Sequence, residues 1–103
     1  MSNWRLICKL DDIPQLGSRV VQRQGGGDIA VFRNAGDEVF ALHDKCPHKG
    51  GPLSQGIVHG KRVTCPLHGW NIGLEDGQAV APDVGSCGKF AVKVENGEVF
   101  LAV

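Results

Sequence analysis

The chain has 103 residues and a mass of 11.0 kDa, so we predict one small domain over residues 1–103, which excludes a nucleotide-binding unit joined to a separate substrate domain. Eleven basic residues balance eleven acidic ones, and no overall field therefore favours nucleic acid or an anionic membrane as a partner. No apolar run approaches the length of a membrane span and the first residues lack a signal-peptide pattern, so we expect a cytoplasmic protein with no membrane-spanning segment.

Short β-like runs broken by turn residues predict β-strands along the chain. These runs are Trp4 to Leu10, Arg19 to Gln22, Asp28 to Arg33, Glu38 to His43 and Arg62 to Cys65. Turn residues separate them, and no window sustains the periodicity of a long helix. The one helical signal is a single turn at Asp11–Pro14, with an aspartate as its cap. The pattern predicts an all-β domain.

Gly25–Ala30 matches the pattern G-x-G-x-x-A of dinucleotide-binding loops. That fingerprint requires a helix after the glycines, inside a βαβ unit. The residues that follow, Val31–Arg33, have strand character instead. We therefore interpret Gly25–Gly27 as a turn, and the sequence shows no nucleophile elbow or phosphate-binding loop.

The last residues of the chain predict a hairpin. Lys89 to Val94 alternates with period two, Glu95–Gly97 supplies the turn, and Glu98 to Val103 forms the second strand. The Asn-Gly pair in this turn is the strongest short hairpin signal, because both residues readily adopt a positive φ.

One long segment, from Asp44 to Gly85, is rich in Gly and Pro and poor in continuous strand. Such a segment loses conformational freedom on folding without a large apolar gain, so something must order it. It contains Cys46, His48, Cys65 and His68. A bound metal centre is therefore the natural candidate.

The four candidate ligands form two pairs, Cys46-Pro47-His48 and Cys65-Pro66-Leu67-His68. Structural zinc sites usually draw Cys-x₂₋₄-Cys and His-x₃₋₅-His pairs, which these loops do not match. Residues two apart in extended chain have Cα atoms about 6–7 Å apart, so one loop can serve two metal ions. The spacing favours a binuclear centre, with a zinc ion or an empty site as the alternative.

Cys-x-His followed by Cys-x-x-His is the Rieske signature, and the chain resembles that family. The resemblance implies a Rieske-like (ISP-type) domain of antiparallel sheets with a cluster-binding loop subdomain at about 44–85. It implies a Rieske-type 2Fe–2S cluster that transfers electrons, with no catalytic residues in this chain. By the same resemblance, Cys46 and Cys65 would bind one iron, and His48 and His68 the other.

Within the family, the chain is most similar to the small subunit of cytoplasmic NAD(P)H-dependent nitrite reductase. The similarity covers both ligand loops, the opening segment Trp4–Pro14, and Val84–Cys87 before the last hairpin. It implies a large subunit with flavin, sirohaem and another iron–sulfur cluster, which reduces nitrite to ammonia in nitrate assimilation. This chain alone would then have no activity. A ferredoxin of a ring-hydroxylating dioxygenase and a non-redox assembly module are the alternatives.

High-potential respiratory Rieske proteins differ from this chain around the ligands. They carry an extra cysteine in each loop, forming a disulfide, and a serine and a tyrosine that donate hydrogen bonds. The corresponding residues here are Gly51, Leu67, Trp70 and Ile72. Without the two hydroxyl donors, we expect a reduction potential toward the low end of the range of about −150 to +300 mV.

Other conspicuous residues receive structural interpretations. Cys8 and Cys87 are predicted to be buried thiols that pack as small hydrophobic groups, with a redox pair as the alternative. His43 and His59 are predicted to lie at the surface or pack against loops. Ala81–Gly85 resembles the third, proline-bearing loop that covers the cluster in Rieske proteins.

Overall fold

The computed structural model describes residues 4–23, 27–46, 51–66, 69–81 and 84–102. Several residues with predicted roles lie outside the described residues: Gly25, Gly26, Pro47, His48, Leu67, His68, Pro82, Asp83 and Val103. Within the described ranges, no helix is long and apolar enough to cross a membrane.

The described residues form strands in three antiparallel sheets. The strands are β1 (Trp4–Lys9), β2 (Gly17–Val21), β3 (Ile29–Arg33), β4 (Val39–His43), β5 (Ile57–His59), β6 (Arg62–Thr64), β7 (Asn71–Gly73), β8 (Lys89–Phe90), β9 (Val92–Glu95) and β10 (Glu98–Ala102). The sheets have the orders β1-β10-β9, β2-β3-β4-β8 and β5-β6-β7. Two 3-10 helices, Leu10–Asp12 and Leu53–Gln55, complete the described elements. The predicted all-β class is confirmed.

The five strands predicted ahead of the final hairpin correspond to β1, β2, β3, β4 and β6, with ends that differ by at most two residues. Strands with one exposed face alternate apolar and polar residues, whereas a strand buried on both faces is a continuous apolar run. In β3, Ile29, Ala30, Val31 and Phe32 are all fully buried. This strand therefore lies between two cores.

The final hairpin forms with its predicted turn, but its first strand is divided. Asn96 and Gly97 have φ values of 51° and 74°, as an Asn-Gly turn requires. β8 pairs with β4 in the second sheet, whereas β9 pairs with β10 in the first. The chain changes sheets at Ala91, whose carbonyl accepts a hydrogen bond from the Ala102 amide at 3.1 Å. Periodicity along the chain cannot reveal such a change of partner.

The predicted helical turn is present, but it begins one residue early. The 3-10 helix covers Leu10–Asp12, and Lys9 occupies the N-cap position. The capping aspartate is Asp12, the third residue of the helix, and its carboxylate accepts a hydrogen bond from the Lys9 amide at 3.0 Å. An aspartate thus caps the turn from inside it rather than from the residue before it.

The segment from Asp44 to Gly85 contains more strand than we predicted. It holds the third sheet, in which Val58 pairs with Val63 and Val63 pairs with Ile72. These three side chains are buried and form one apolar row across the sheet. β5 and β7 have only three residues each, which is too short for alternation to distinguish a strand from a loop.

Two groups of buried side chains form the interior. We call the first the loop core: Ala30, Phe32, Leu42, Cys46, Leu53, Val58, Val63, Cys65, Ile72 and Leu74. The second is the strand core: Cys8, Ile13, Ile29, Val31, Ala41, Val99 and Leu101. Successive residues of β3 and β4 contribute to opposite cores, since neighbouring side chains in a strand point to opposite faces. The second sheet therefore separates the two cores.

Candidate metal centre

Cys46 lies three residues after β4 and is buried, with only 2% of its surface exposed. Its backbone amide donates a hydrogen bond to the carbonyl of Gly51 at 2.7 Å. This bond closes the loop that begins at Cys46. The Cys46 side chain packs in the loop core.

Cys65 directly follows β6 and is also 2% exposed. Its amide donates to the carbonyl of Trp70 at 2.7 Å, and its own carbonyl accepts from the Gly69 amide at 3.1 Å. Gly69 has a φ of 72°, a backbone conformation that residues other than glycine rarely adopt. The glycine therefore permits the tight return of this second loop.

The two cysteine loops are closed in the same way. In each, the cysteine amide bonds to the carbonyl five residues later, at Gly51 in one loop and at Trp70 in the other. Both thiols belong to the loop core, although 19 positions separate them in sequence. In sequence, the predicted ligand His48 lies between Cys46 and Gly51, and the predicted ligand His68 lies between Cys65 and Trp70. Both histidines are outside the described residues.

A carboxylate braces the first loop on its far side. The Ser54 amide donates to Asp44 Oδ1 at 2.7 Å, and the Ser54 hydroxyl donates to Asp44 Oδ2 at 2.9 Å. The Ser18 hydroxyl of β2 donates to the Ser54 carbonyl at 2.8 Å. The two ends of the Cys46 loop are thereby joined to each other and to the second sheet. We call the two hydrogen bonds between Asp44 and Ser54 the Asp44–Ser54 bracket. The sequence does not predict it, because the two residues lie ten positions apart and match no recognised motif.

The third sheet supports the second loop through a polar network. His59 Nε2 lies 2.7 Å from Thr64 Oγ1, and Thr64 Oγ1 donates to Asn71 Oδ1 at 2.7 Å. Because the Thr64 hydrogen goes to Asn71, the Thr64 oxygen accepts from His59, which places a hydrogen on Nε2. The network joins the residue before Cys65 to the residue after Trp70. The exposed His59 thus packs against this loop, as predicted.

The third predicted loop is connected to the second. The Val80 amide donates to the Asn71 carbonyl at 2.8 Å, and the Ala79 amide donates to the Gly85 carbonyl at 2.8 Å. The second bond closes the turn containing Ala81–Gly85, of which Pro82 and Asp83 lie outside the described residues. Val84 is almost fully exposed. This turn therefore presents an apolar side chain to solvent.

Of the other two cysteines, Cys8 is buried as predicted, whereas Cys87 is less buried than predicted. Cys8 is buried in the strand core, and Cys87 is half-buried against the loop core. Burial raises the pKa of both thiols, and it raises the pKa of Cys87 to about 11 with a smaller contribution from the charge of Cys46. All four cysteines are among the described residues, and none of them is in a disulfide. Cys8 and Cys87 belong to different cores, which disfavours the redox pair.

The described residues fit a metal centre with thiolate ligands. Two buried thiols in one core, on loops of matched closure, form a donor set suited to iron or zinc. In the part of the chain that the structure describes, no three His, Cys, Asp or Glu side chains cluster as a metal site. Of the four predicted ligands, the described residues include only the two thiols, Cys46 and Cys65.

Comparison with known proteins identifies the class. Residues 3–94 match the family model of the Rieske 2Fe–2S domain. The chain therefore belongs to the Rieske 2Fe–2S family, and it is an electron-transfer domain that binds a Rieske-type 2Fe–2S cluster.

Three similar proteins indicate its place in the family. Ferredoxin CarAc of Metapseudomonas resinovorans is 35% identical over 100 residues, which are 96% of this chain and 92% of the relative. The Escherichia coli protein NirD has a TM-score of 0.83 and 30% identity, covering 98% of this chain and 96% of NirD. A Mycobacterium tuberculosis protein assigned as the small subunit of an NADH-dependent nitrite reductase has a TM-score of 0.87, covering 100% of this chain and 96% of that one. Its 24% identity supports the fold alone.

Proposed function

We propose that Cys46 and Cys65 bind one iron of the cluster and that His48 and His68 bind the other. The observation that carries this proposal is the pair of buried thiols on two loops closed by equivalent hydrogen bonds. Two soft anionic ligands in one core match the sulfur ligands of a Rieske iron. The histidines follow each cysteine at the spacing of the family signature.

The bound cluster supplies one-electron chemistry, and the chain supplies its environment. Burial of Cys46 and Cys65 excludes water from both thiolates. Their backbone amides bond to loop carbonyls, so these two amides hold the loops in shape. The Asp44–Ser54 bracket and the network at Thr64 hold the loop ends. A site fixed in this way changes little in geometry when the charge of the cluster changes.

The residues around the cysteines support a low reduction potential. By the resemblance, Trp70 and Ile72 stand where high-potential respiratory Rieske proteins carry the two hydroxyl donors, and Ile72 is fully buried in the loop core. An apolar environment without hydroxyl hydrogen bonds disfavours the more negative reduced cluster. This supports a carrier toward the low end of the Rieske range.

The particular function that we propose is the small subunit of a cytoplasmic, assimilatory NAD(P)H-dependent nitrite reductase. Support comes from the resemblance of Trp4–Pro14 and Val84–Cys87 to that subunit, and from the similarity to NirD over almost the whole chain. The partner is then a large subunit with flavin, sirohaem and an iron–sulfur cluster. That subunit binds nitrite and NAD(P)H, and this chain has no activity alone.

A second candidate is the ferredoxin component of a ring-hydroxylating dioxygenase. The observation that favours it is the 35% identity to ferredoxin CarAc, which also extends over nearly the whole chain. In this case the partner is an oxygenase. Both candidates use the same cluster and differ only in the partner.

Partner capture separates the two candidates. The chain is tagged, expressed in its native host with nitrate as nitrogen source, and purified under gentle conditions. We expect a sirohaem-containing subunit to copurify, and NAD(P)H-dependent nitrite reduction to need both components. An oxygenase that copurifies and is reduced by the chain would support the ferredoxin instead. Full nitrite reductase activity in a host lacking this chain would contradict the proposed function.

A further inference from the structure

A groove with a volume of about 890 Å³ lies beside the strand core. β1 and β2 form its two walls, and Phe90 and Ala102 also line it. Among the described residues, β1 pairs only with β10, and β2 pairs only with β3. The groove therefore lies between edge strands of two different sheets.

The order of the lining residues shows which part of each strand faces the groove. Consecutive residues line it, Arg5–Ile7 from one side and Arg19–Arg23 from the other. A groove over the face of a sheet would be lined by every second residue of a strand. The groove therefore runs along the strand edges, where main-chain groups meet the solvent.

All charged side chains lining the groove among the described residues are arginines: Arg5, Arg19 and Arg23. Arg23 is held in place, because its guanidinium carbon lies 4.8 Å from the centre of the Phe90 ring and its Nε donates to the Gly27 carbonyl at 3.0 Å. Within the described residues, no ion pair joins Arg5 or Arg19 to a carboxylate. The chain has no net formal charge, so the groove is a local concentration of positive charge.

Aliphatic side chains alternate with these arginines and are incompletely covered. Leu6 is 51% exposed and Val20 is 39% exposed. Their neighbours Ile7 and Val21 pack against the strand core instead. Each wall thus combines a positive charge with an exposed apolar group, a combination that suits a partner carrying both carboxylates and apolar side chains.

The two edges differ in their suitability for pairing. β1 has a bulge, since Leu6 pairs with Phe100 and Cys8 with Val99, so that Ile7 has no partner position. Bulges interrupt an edge and disfavour addition of another strand. β2 has an unbroken register with β3 over all five of its residues. β2 is therefore the edge that a further strand can extend.

We propose that this groove binds an acidic, extended peptide segment of a partner protein, which adds as a strand to β2. Carboxylates of the segment meet Arg5, Arg19 and Arg23, and its apolar side chains cover Leu6 and Val20. Main-chain pairing supplies affinity, and the charges select the partner. The groove borders the strand core while Cys46 and Cys65 lie in the loop core. A partner can therefore be anchored here independently of the electron-transfer partner.

The test uses the cluster-loaded full chain and a fluorescein-labelled decapeptide of alternating Glu and Val. Fluorescence anisotropy at low salt is expected to show saturable binding, and amide NMR signals of β2 are expected to shift. The double variant R5E/R19E is expected to bind at least about tenfold more weakly, since two attractive contacts become repulsive. Arg62→Glu, in β6 and outside the groove, is the matched control and is expected to bind like the unchanged protein.

Further probes distinguish the proposal from other occupants. A peptide with Pro in place of two central Val residues keeps the charge but cannot complete a ladder, and it is expected to bind more weakly. Equal binding of that peptide, or equal loss in Arg62→Glu, would overturn strand addition. Binding of phosphatidylserine vesicles but not the peptide would assign the groove to a lipid surface. Self-association that R5E/R19E abolishes would assign it to a second copy of the chain. None of these measurements involves nitrite or electron transfer, so their failure leaves the proposed function untouched.

Discussion

The two cores of the molecule are stabilised by different kinds of structure. The strand core lies between long ladders, in which β1, β3 and β10 contribute aliphatic side chains such as Val31, Val99 and Leu101. The loop core includes Cys46 and Cys65, which follow strands, and it lies against a sheet of three-residue strands. The strand core is built on ladders of up to five paired residues, whereas the loops at Cys46 and Cys65 are closed by individual main-chain hydrogen bonds.

We expect this difference to separate effects on folding from effects on the cluster. Loss of an aliphatic group from the strand core removes buried apolar area that supports the whole domain. On the proposed ligation, loss of a thiol of the loop core, or of the Asp44–Ser54 hydrogen bonds beside it, would remove support for the cluster. Substitutions in the two cores should therefore affect different measurements, and four predictions test that separation.

The largest effect is expected from the cysteines of the loop core. Cys46→Ser or Cys65→Ser removes a soft anionic ligand, and we expect iron and labile sulfide to fall below about a tenth of the unchanged level. Iron and sulfide analysis with a visible spectrum measures this loss. Cys8→Ser is the control, because Cys8 lies in the strand core, and it should retain the cluster. Loss of the cluster in Cys8→Ser, with retention in Cys46→Ser and Cys65→Ser, would contradict the different roles of the two cores.

The next effect is on stability. Leu101 is fully buried in the strand core, and Leu101→Ala should lower the free energy of unfolding by about 2–5 kcal/mol. Leu6→Ala, at a half-exposed position of β1, should change it by less than about 0.5 kcal/mol. Urea denaturation of the loaded protein measures both values. The cluster content of folded Leu101→Ala should stay unchanged. Loss of the cluster without a change in the free energy of unfolding would contradict the role of Leu101 in stability rather than in cluster binding.

A smaller effect is expected from the bracket at Asp44. Asp44→Ala removes two hydrogen bonds to a carboxylate at the Cys46 loop, and we expect the cluster to be lost several times faster in the presence of an iron chelator. The matched control is Asp12→Ala, which removes a carboxylate hydrogen bond at the first 3-10 helix. That variant should release the cluster at the unchanged rate. Equal release from both variants would show that Asp44 acts only through general stability.

The smallest effect concerns Cys87. Burial raises its pKa from 9.0 to about 11, so at pH 9 its thiolate fraction and its alkylation rate should be about fiftyfold lower than for an ordinary thiol. Because the folded state binds this proton more tightly than the unfolded state, stability should fall as pH rises from 9 through about 11. Iodoacetamide labelling of the loaded protein, followed by mass spectrometry, measures the rate. Rapid labelling at pH 8 would contradict burial of the thiol.

Much of the strand core could be predicted from the sequence. The runs at residues 28–33 and 38–43 correspond to β3 and β4, and the turn at Asn96–Gly97 forms where its residues predicted it. Each of these features depends on neighbouring residues, through side-chain alternation or through φ preferences. The candidate ligands were also found locally, because metal-binding loops place their donors at short, characteristic spacings.

By itself, the sequence determined the all-β class and the Rieske family, and it indicated four candidate ligands whose role stays a prediction, since each of these features is encoded in short runs of residues. Only the tertiary structure decided the change of sheets at Ala91, the third sheet, and the equal closure of the Cys46 and Cys65 loops. It also decided the bracket between Asp44 and Ser54 and the meeting of two edge strands in one arginine-lined groove. These features join residues that are distant in the chain, and their hydrogen bonds and contacts exist only once the sheets have packed.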